Sequence, residues 1–451
     1  MNLLDENMIE SWQILLEKQE YHALRQALDG LNPVDLAHFI SQLSAEQATL
    51  TFRTLPKDQE VDVFAELDAD TQQAIISAVS DREIADIIED LAVDDAVDML
   101  EEFPAHLVKR VLQNSSKQTR SLINQFFRYP ENSAGSIMTA EYTDLKKGMS
   151  VEDAIKRIRR TGEDRETIYT CYVIDSTRVL EGVVTVKDLL LAYDGQLIDD
   201  IMETEVISVI TTEDQEVAAN MLMKYDLMSL PVVDAENRLV GIVTVDDAVD
   251  VLQEETTEDI ERMAGIAPSE KPYSKSSVLS IARNRLPWLL VLMVSGMVTG
   301  SILGHYEKAF DAIPLLVTFI PMLTSTGGNA GSQASTMVIR SMALGDLTFR
   351  NFWSVIWKEL RVALIVAVPL AAVNFARMLI FYPGNTLVSL TVSLAMIATV
   401  ILSKIMGGVL PMVANVVHID PALMAAPLIT TIVDASTLVV YFTIAGLLLG
   451  I

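Results

Sequence analysis

Residues 321–333 read Pro321-Met322-Leu323-Thr324-Ser325-Thr326-Gly327-Gly328-Asn329-Ala330-Gly331-Ser332-Gln333, a polar, glycine-rich run inside the otherwise apolar stretch Ile313–Met337. Four more apolar stretches surround it, roughly Leu286–Tyr306, Val362–Tyr382, Leu387–Met412 and Leu423–Leu449. Each is long enough for the ~20 residues that a bilayer crossing requires. Residues 285–451 therefore read as a five-span helical membrane domain. The second span cannot be a plain lipid-facing helix, because Pro321 and the polar run interrupt it. Polar backbone at that depth is tolerated only where it is buried in protein or lines a wet cavity. The competing use of its small residues is close helix packing. The run lacks the Lys-Ser/Thr ending of a phosphate loop, so ATP hydrolysis is not indicated.

Outward from these spans the composition changes. The chain has 451 residues and a net charge of −28. Residues 1–284 hold 55 Asp and Glu against 25 Lys and Arg, whereas residues 285–451 hold 6 against 8, giving −30 and +2. That length predicts two or three units. An acidic half repels nucleic acid and anionic lipid and attracts polyvalent cations, so nucleic-acid binding is not expected. Cys171, the one cysteine, lies in the apolar run Tyr169–Ile174 and reads as a buried strand residue, so no disulfide framework exists. His22, His38, His106, His305 and His418 are scattered without zinc-ligand spacing.

The polar start, with Asp5, Glu6 and Glu10, has no apolar signal region and predicts a cytoplasmic N-terminus. Arg283 and Arg285 precede the first span, and Arg340, Arg350, Lys358 and Arg361 surround the second-to-third connection. Both groups belong inside. Five crossings then put the C-terminus outside the cell.

Two repeats organise the acidic half. Leu31, Leu43, Leu55, Leu67, Val79, Leu91 and Phe103 recur every 12 residues, and Ser44 with Gln47 and Ser80 with Glu83 have capping-box spacing. Residues 1–130 thus read as short helices stacked into an all-α superhelix of either hand. Further on, Ser136-Ile137-Met138-Thr139 returns 64 residues later as Asp200-Ile201-Met202-Glu203, and Gly182-Val183-Val184-Thr185-Val186-Lys187-Asp188 returns 59 later as Gly241-Ile242-Val243-Thr244-Val245-Asp246-Asp247. With β-branched runs alternating with amphipathic ones, residues 131–260 resemble a tandem pair of CBS domains forming one α/β module. An acidic helix continues from Glu254 to Ile266, and Pro268–Ser277 reads as a joint.

Asp434 stands near the middle of the fifth span, in Ile432-Val433-Asp434-Ala435-Ser436-Thr437. An unpaired aspartate there costs ~2.5–3.5 kcal/mol on insertion scales, so it serves an ion or a partner; Lys404 of the fourth span is the alternative partner. A hydrated divalent cation such as Mg²⁺ gives up its waters reluctantly. It suits oxygens like those of Asp434, Asn329, Thr430, Thr431 and Ser436, with backbone carbonyls freed near Pro427.

Acidic clusters in the other half match this. They are Asp90, Asp94, Asp95 and Asp98; Glu213, Asp214 and Glu216; Asp246, Asp247 and Asp250; and Glu254, Glu255, Glu258 and Asp259. On one helix Asp247, Asp250, Glu254 and Glu258 form a stripe. Two carboxylates ~5 Å apart repel by ~3 kcal/mol at an effective dielectric of about 20, so several pairs across domain interfaces hold the domains apart until divalent cations bridge them. A solvated acidic face is the plain alternative for any single cluster.

The order of superhelix, CBS pair, connecting helix and five spans closely resembles the MgtE family of bacterial Mg²⁺ transporters over essentially the whole chain. The most specific pieces are Pro321–Gln333, and Asp420-Pro421-Ala422 followed by Pro427–Asp434. The resemblance implies a homodimer in the cell membrane with its pore on the two-fold axis, lined by the second and fifth spans. It implies that Asp434 binds hydrated Mg²⁺ with Asn329 nearby. It assigns regulatory Mg²⁺ to Asp90, Asp94 or Asp95, Asp214, Glu216, Asp226, Asp247, Asp250, Glu255, Glu258, Asp259 and Asp420. A connecting or plug helix, from about Glu254 to the first span with its joint at 261–284, transmits domain closure to the pore. Family members also bind ATP in the CBS module, where Thr185 with Asp188 and Thr244 with Asp247 have the usual spacing. The implied function is Mg²⁺ uptake under negative feedback by internal Mg²⁺. A channel for Co²⁺, Mn²⁺ or Ni²⁺ is a rival, disfavoured by the lack of His and Cys near the pore, as is a nucleotide-sensing receptor without transport. An enzyme has no nucleophile and base to support it.

Overall fold

The computed structural model describes residues 6–269, 273 and 276–450, and the chain divides after Leu252 into two compact units. In the first, eight consecutive helices begin at positions 33, 45, 57, 69, 81, 93, 105 and 117. The 12-residue period is thus one short helix and its turn. Leu55, Leu67, Val79, Leu91 and Phe103 sit in or beside those turns and are buried. Helices pack on their next-but-one neighbours: Ala45–Phe52 on Ala69–Ala78, Asp81–Asp90 on Ala105–Asn114, and Val93–Glu102 on Lys117–Phe126. Both expected capping boxes form, at Ser44 with Gln47 and Ser80 with Glu83. They supply partners for helix-end N–H groups that short helices otherwise leave unpaired.

The CBS pair builds two three-stranded sheets. The first joins β1 (Thr143–Leu145), β2 (Thr170–Ile174) and β3 (Leu180–Thr185) in that order; the second joins β4 (Val209–Ile210), β5 (Ser229–Val233) and β6 (Leu239–Thr244) likewise. In each, the first pair is parallel and the second antiparallel. The lead-in segments are exchanged: Thr139 pairs with Ile242 on β6, and Glu203 pairs with Val183 on β3. A Cβ on Gly241 would stand 2.6 Å from the Thr139 carbonyl and 2.7 Å from the Met138 sulfur; one on Gly182 would stand 2.9 Å from both the Glu203 carbonyl and the Met202 sulfur. The Ile-Met and Gly motifs of the two repeats are therefore one contact made twice. Cys171 is buried in β2, and burial pushes its thiol up to about 12, which leaves it inert.

The second unit holds five long helices: Val278–His305, Ile320–Ala343, Phe352–Phe381, Thr386–Val416 and Ala426–Leu449. Among the described residues, the first, third, fourth and fifth are long and apolar enough to cross a membrane. The second has 24 residues, enough length at ~1.5 Å per residue, but its polar run lowers its apolar content. That run does not interrupt it, contrary to the expectation from sequence. Pro321 falls in the first turn, where no intrahelical N–H is needed, and residues 324–333 continue as regular helix. This helix packs on both the fourth and the fifth, and the third packs on the fourth. The segment before the second helix and that helix's own second half are tied to the last helix and the turn preceding that: the Tyr441 hydroxyl donates to the Leu316 carbonyl at 3.0 Å, and the Ser335 hydroxyl to that of Met424 at 2.6 Å.

The connecting segment also differs from expectation. The acidic helix is Val245–Met263, continuous with the second CBS repeat, and it stops well before the first apolar helix begins at Val278. The expected joint at 268–277 lies partly outside the described residues.

Candidate functional site

The second apolar helix has two unlike faces. Gly327, Gly328, Ala330, Gly331, Ala334 and Ser335 are buried. Ser325, Asn329, Gln333 and Thr336 are exposed and, three or four residues apart, form one polar stripe. Asn329, Ser332, Gln333, Thr336 and Met337 line an open groove of about 550 Å³. On the buried face, Cβ atoms built on the glycines would meet Thr399, Thr437 and Val433 (at Gly327), Thr430 (at Gly328), and Ile429 and Val433 (at Gly331) within 3.0 Å or slightly more. The glycine-rich run thus packs closely on one face and leaves polar side chains exposed on the other.

Asp434 is carried on the fifth helix between Thr430 and Thr437, positions that share its stripe and that pack on Gly328 and Gly327. The structure thus packs the helices of Asp434 and Asn329 directly together, and Asp434 is half-buried. Lys404 is buried on the fourth helix, and no ion pair joins it to Asp434 among the described residues. Pro427 lies in the fifth helix's first turn, and its carbonyl accepts from the Thr430 and Thr431 hydroxyls at 2.9 and 2.8 Å. Ser436 donates to Ile432 at 2.8 Å.

In the first unit the acidic residues separate into a crowded set and the rest. Asp94 and Asp95 lie in the first turn of Val93–Glu102, and Asp246 and Asp247 in the first turn of Val245–Met263. Burial pushes the Asp94 carboxyl up to about 8, with Asp95 and Asp247 adding to it. Burial likewise pushes Asp95 up to about 6, helped by Asp247, Glu66 and Glu141. Asp247 is raised by burial and by Asp246 and Asp250, although the Thr244 hydroxyl donates to it at 2.5 Å. Glu166 is raised by burial, then by Asp246 and Asp247.

Glu141 and Glu166, tied by a 3.0 Å backbone hydrogen bond, were not singled out by sequence, because chain separation hid them. Among the described residues no three such side chains converge at ligating distance. The carboxylates of the set crowd one another, and one oxygen, Oδ1 of Asp94, is buried without a partner among the described residues.

The other predicted ligands lie elsewhere. Asp214 caps the Gln215–Lys224 helix by accepting from the Glu216 N–H at 2.8 Å. Asp226 occupies the positive-φ turn after that helix, and Asp90 ends the Asp81–Asp90 helix. In the second unit Asp259 is raised by burial and by Asp420 and Glu255. Glu258 and Asp420 are both held by Arg262, a residue sequence reading passed over although Glu258 to Arg262 is an i, i+4 pair.

The expected nucleotide residues are helix caps. The Thr185 hydroxyl donates to Asp188 at 2.5 Å within a capping box, and the Thr244 hydroxyl donates to Asp247 at 2.5 Å. Thr185 also lines an open cavity of about 700 Å³ with Tyr169, Lys187, Leu190, Leu191 and Met228.

Comparison with known proteins places these features in context. Residues 320–444 match the family model described as a divalent cation transporter, residues 31–132 match the MgtE intracellular N domain, and residues 134–195 and 198–254 match CBS domains. The chain is 34% identical over 450 residues to the magnesium transporter MgtE of Thermus thermophilus, covering 99% of each chain. It is 30% identical over 444 residues to that of Bacillus subtilis, covering 98% of each. A crystal structure of the cytosolic domain of the Mg²⁺ channel MgtE in complex with ATP is 36% identical, with a TM-score of 0.51, covering 54% of this chain and 99% of that one.

Proposed function

The chain belongs to the MgtE family of magnesium transporters, and from that premise we propose that it forms a Mg²⁺ channel whose pore is completed by a second copy. The observation that carries this reading is the exposed stripe of Ser325, Asn329, Gln333 and Thr336 on a helix packed among apolar ones. In a bilayer such a stripe must face protein or water. Two copies related by a two-fold axis present it, with Asp434, to a shared aqueous path. Mg²⁺ passes there still carrying waters, which donate to the Asp434 carboxylate and the Asn329 side-chain oxygen; a full dry cage is not required. The basic residues at 340–361 support a cytoplasmic position for that connection. The last helix then ends on the outer side.

The crowded carboxylates supply the regulation. At low internal Mg²⁺, repulsion among Asp94, Asp95, Asp247 and their neighbours favours separation of the superhelix from the CBS module. At high Mg²⁺, bridging ions favour closure, which the Val245–Met263 helix conveys toward the pore. Asp90, Asp214, Glu216, Asp226, Asp250, Glu255, Glu258, Asp259 and Asp420 are further candidate ligands. ATP binding in the CBS module, through the cavity at Thr185 and the caps at Asp188 and Thr244, is supported by the ATP complex of the related cytosolic domain. Purified chain in liposomes tests the reading. Mg²⁺ should enter without ATP and stop as Mg²⁺ on the cytoplasmic side rises into the millimolar range. Flux that ignores that side's Mg²⁺ overturns the regulation, and absence of flux overturns the channel.

A further inference from the structure

The end of the acidic helix is fastened to the apolar helices by a basic side chain. Arg262 extends one guanidinium nitrogen to Glu258, one turn back on its own helix, and the other to Asp420 in the turn before the fifth apolar helix. Asp420 is fixed by a second bond, its Oδ1 accepting from the Ala422 N–H at 2.8 Å. Neighbouring contacts hold the segment: the Ala267 N–H donates to the Asn284 carbonyl at 3.1 Å, and Gly265, at φ +71°, abuts the Trp288 indole so closely that a Cβ would collide with it. Asp259 faces Asp420 from the same helix. A planar guanidinium, always charged and forked, is well suited to span two carboxylates.

We propose that Arg262 is a tethered cation that occupies the Glu258–Asp420 carboxylate pair in competition with Mg²⁺, and so sets the Mg²⁺ concentration at which the channel closes. The inference rests on the reading that Mg²⁺ at these carboxylates promotes closure. One set of oxygens cannot serve both cations at once. For an ion to join Asp420 to Glu258, the guanidinium must first swing out. Competition raises the Mg²⁺ required. Arg262 acts here as a positioning residue, since it touches neither the pore stripe nor Asp434.

The test measures, for the full chain in liposomes, the cytoplasmic Mg²⁺ that halves the flux and the Mg²⁺ that halves proteolysis of the segment after Met263. Arg262→Gln should lower both by ~10-fold, the scale of losing one competing charge-assisted contact. Arg262→Lys, which keeps the charge but not the fork, should fall between. Asp420→Asn and the double variant Asp420→Asn with Arg262→Gln should share one midpoint, because the arginine acts through that carboxylate. Unchanged or raised midpoints in both Arg262 variants overturn the proposal while leaving Mg²⁺ gating intact. A wild-type flux that ignores Mg²⁺ overturns gating itself and this proposal with it.

Discussion

Gly327 of the second apolar helix lies against Thr437 of the fifth: a Cβ on the glycine would stand 3.0 Å from the threonine Oγ1, and 2.7 Å from Cγ2 of Thr399 on the fourth. Three helices meet at that glycine, which stands two residues before Asn329 on the second helix, while Thr437 stands three after Asp434 on the fifth. Without that close approach the second helix could not pack against both the fourth and the fifth.

Substitution at this point should therefore act on transport through packing. Gly327→Val forces the fourth and fifth helices outward, at a cost of roughly 1–3 kcal/mol for overpacking. Thermal unfolding in detergent should fall by several degrees, and Mg²⁺ flux should drop sharply. Wild-type flux in this variant would mean that the helix spacing does not position the pathway.

The exchanged lead-ins of the CBS pair make a second expectation. Gly241→Val drives a side chain into Met138 and the Thr139 carbonyl, again costing roughly 1–3 kcal/mol. Gly182→Val does the same against Met202 and Glu203. Met138→Ala should partly rescue Gly241→Val and leave Gly182→Val unrescued, as separate contacts require. Chemical unfolding of the four variants reads this directly; equal rescue of both glycine variants would refute the exchange.

A pH dependence follows from the crowded carboxylates. Asp94 is pushed up to about 8 and Asp95 to about 6. Raised carboxyl pKa values mean that the folded chain binds protons more tightly than the unfolded one. Without Mg²⁺, stability therefore falls as pH climbs from the ordinary carboxylate value of ~4 toward ~8. The unfolding midpoint should be higher near pH ~6 than near pH ~8, and Asp94→Asn should flatten the difference. Mg²⁺ added at the higher pH should restore the midpoint, because the ion replaces the proton as the balancing charge. A midpoint that rises with pH in Mg²⁺-free buffer would contradict the crowding.

Much of this architecture was legible from local pattern. The 12-residue spacing from Leu31 to Phe103 gave the stacked helices because each turn packs one apolar residue against the core, fully buried from Leu55 onward, and the twin Gly-to-Asp motifs gave the CBS pair. The polar run at 324–333 was misread as a break. A glycine-rich helix is stabilised by neighbours such as Thr399 and Val433, which lie far away in the chain. The same limit concealed Glu141 and Glu166, brought to Asp247 only by the fold. Arg262 was visible as an i, i+4 partner of Glu258, but its second partner, Asp420, lies 158 residues away.

The most direct measurement is Mg²⁺ flux into liposomes holding Asp434→Ala, alongside wild type and with dimerisation and unfolding midpoint recorded for both. The variant should fold as wild type does, in the same oligomeric state, and carry no Mg²⁺, because the fifth helix has then lost its charged oxygens. Uptake at the wild-type rate by a well-folded variant would contradict the assignment of the pathway to that carboxylate.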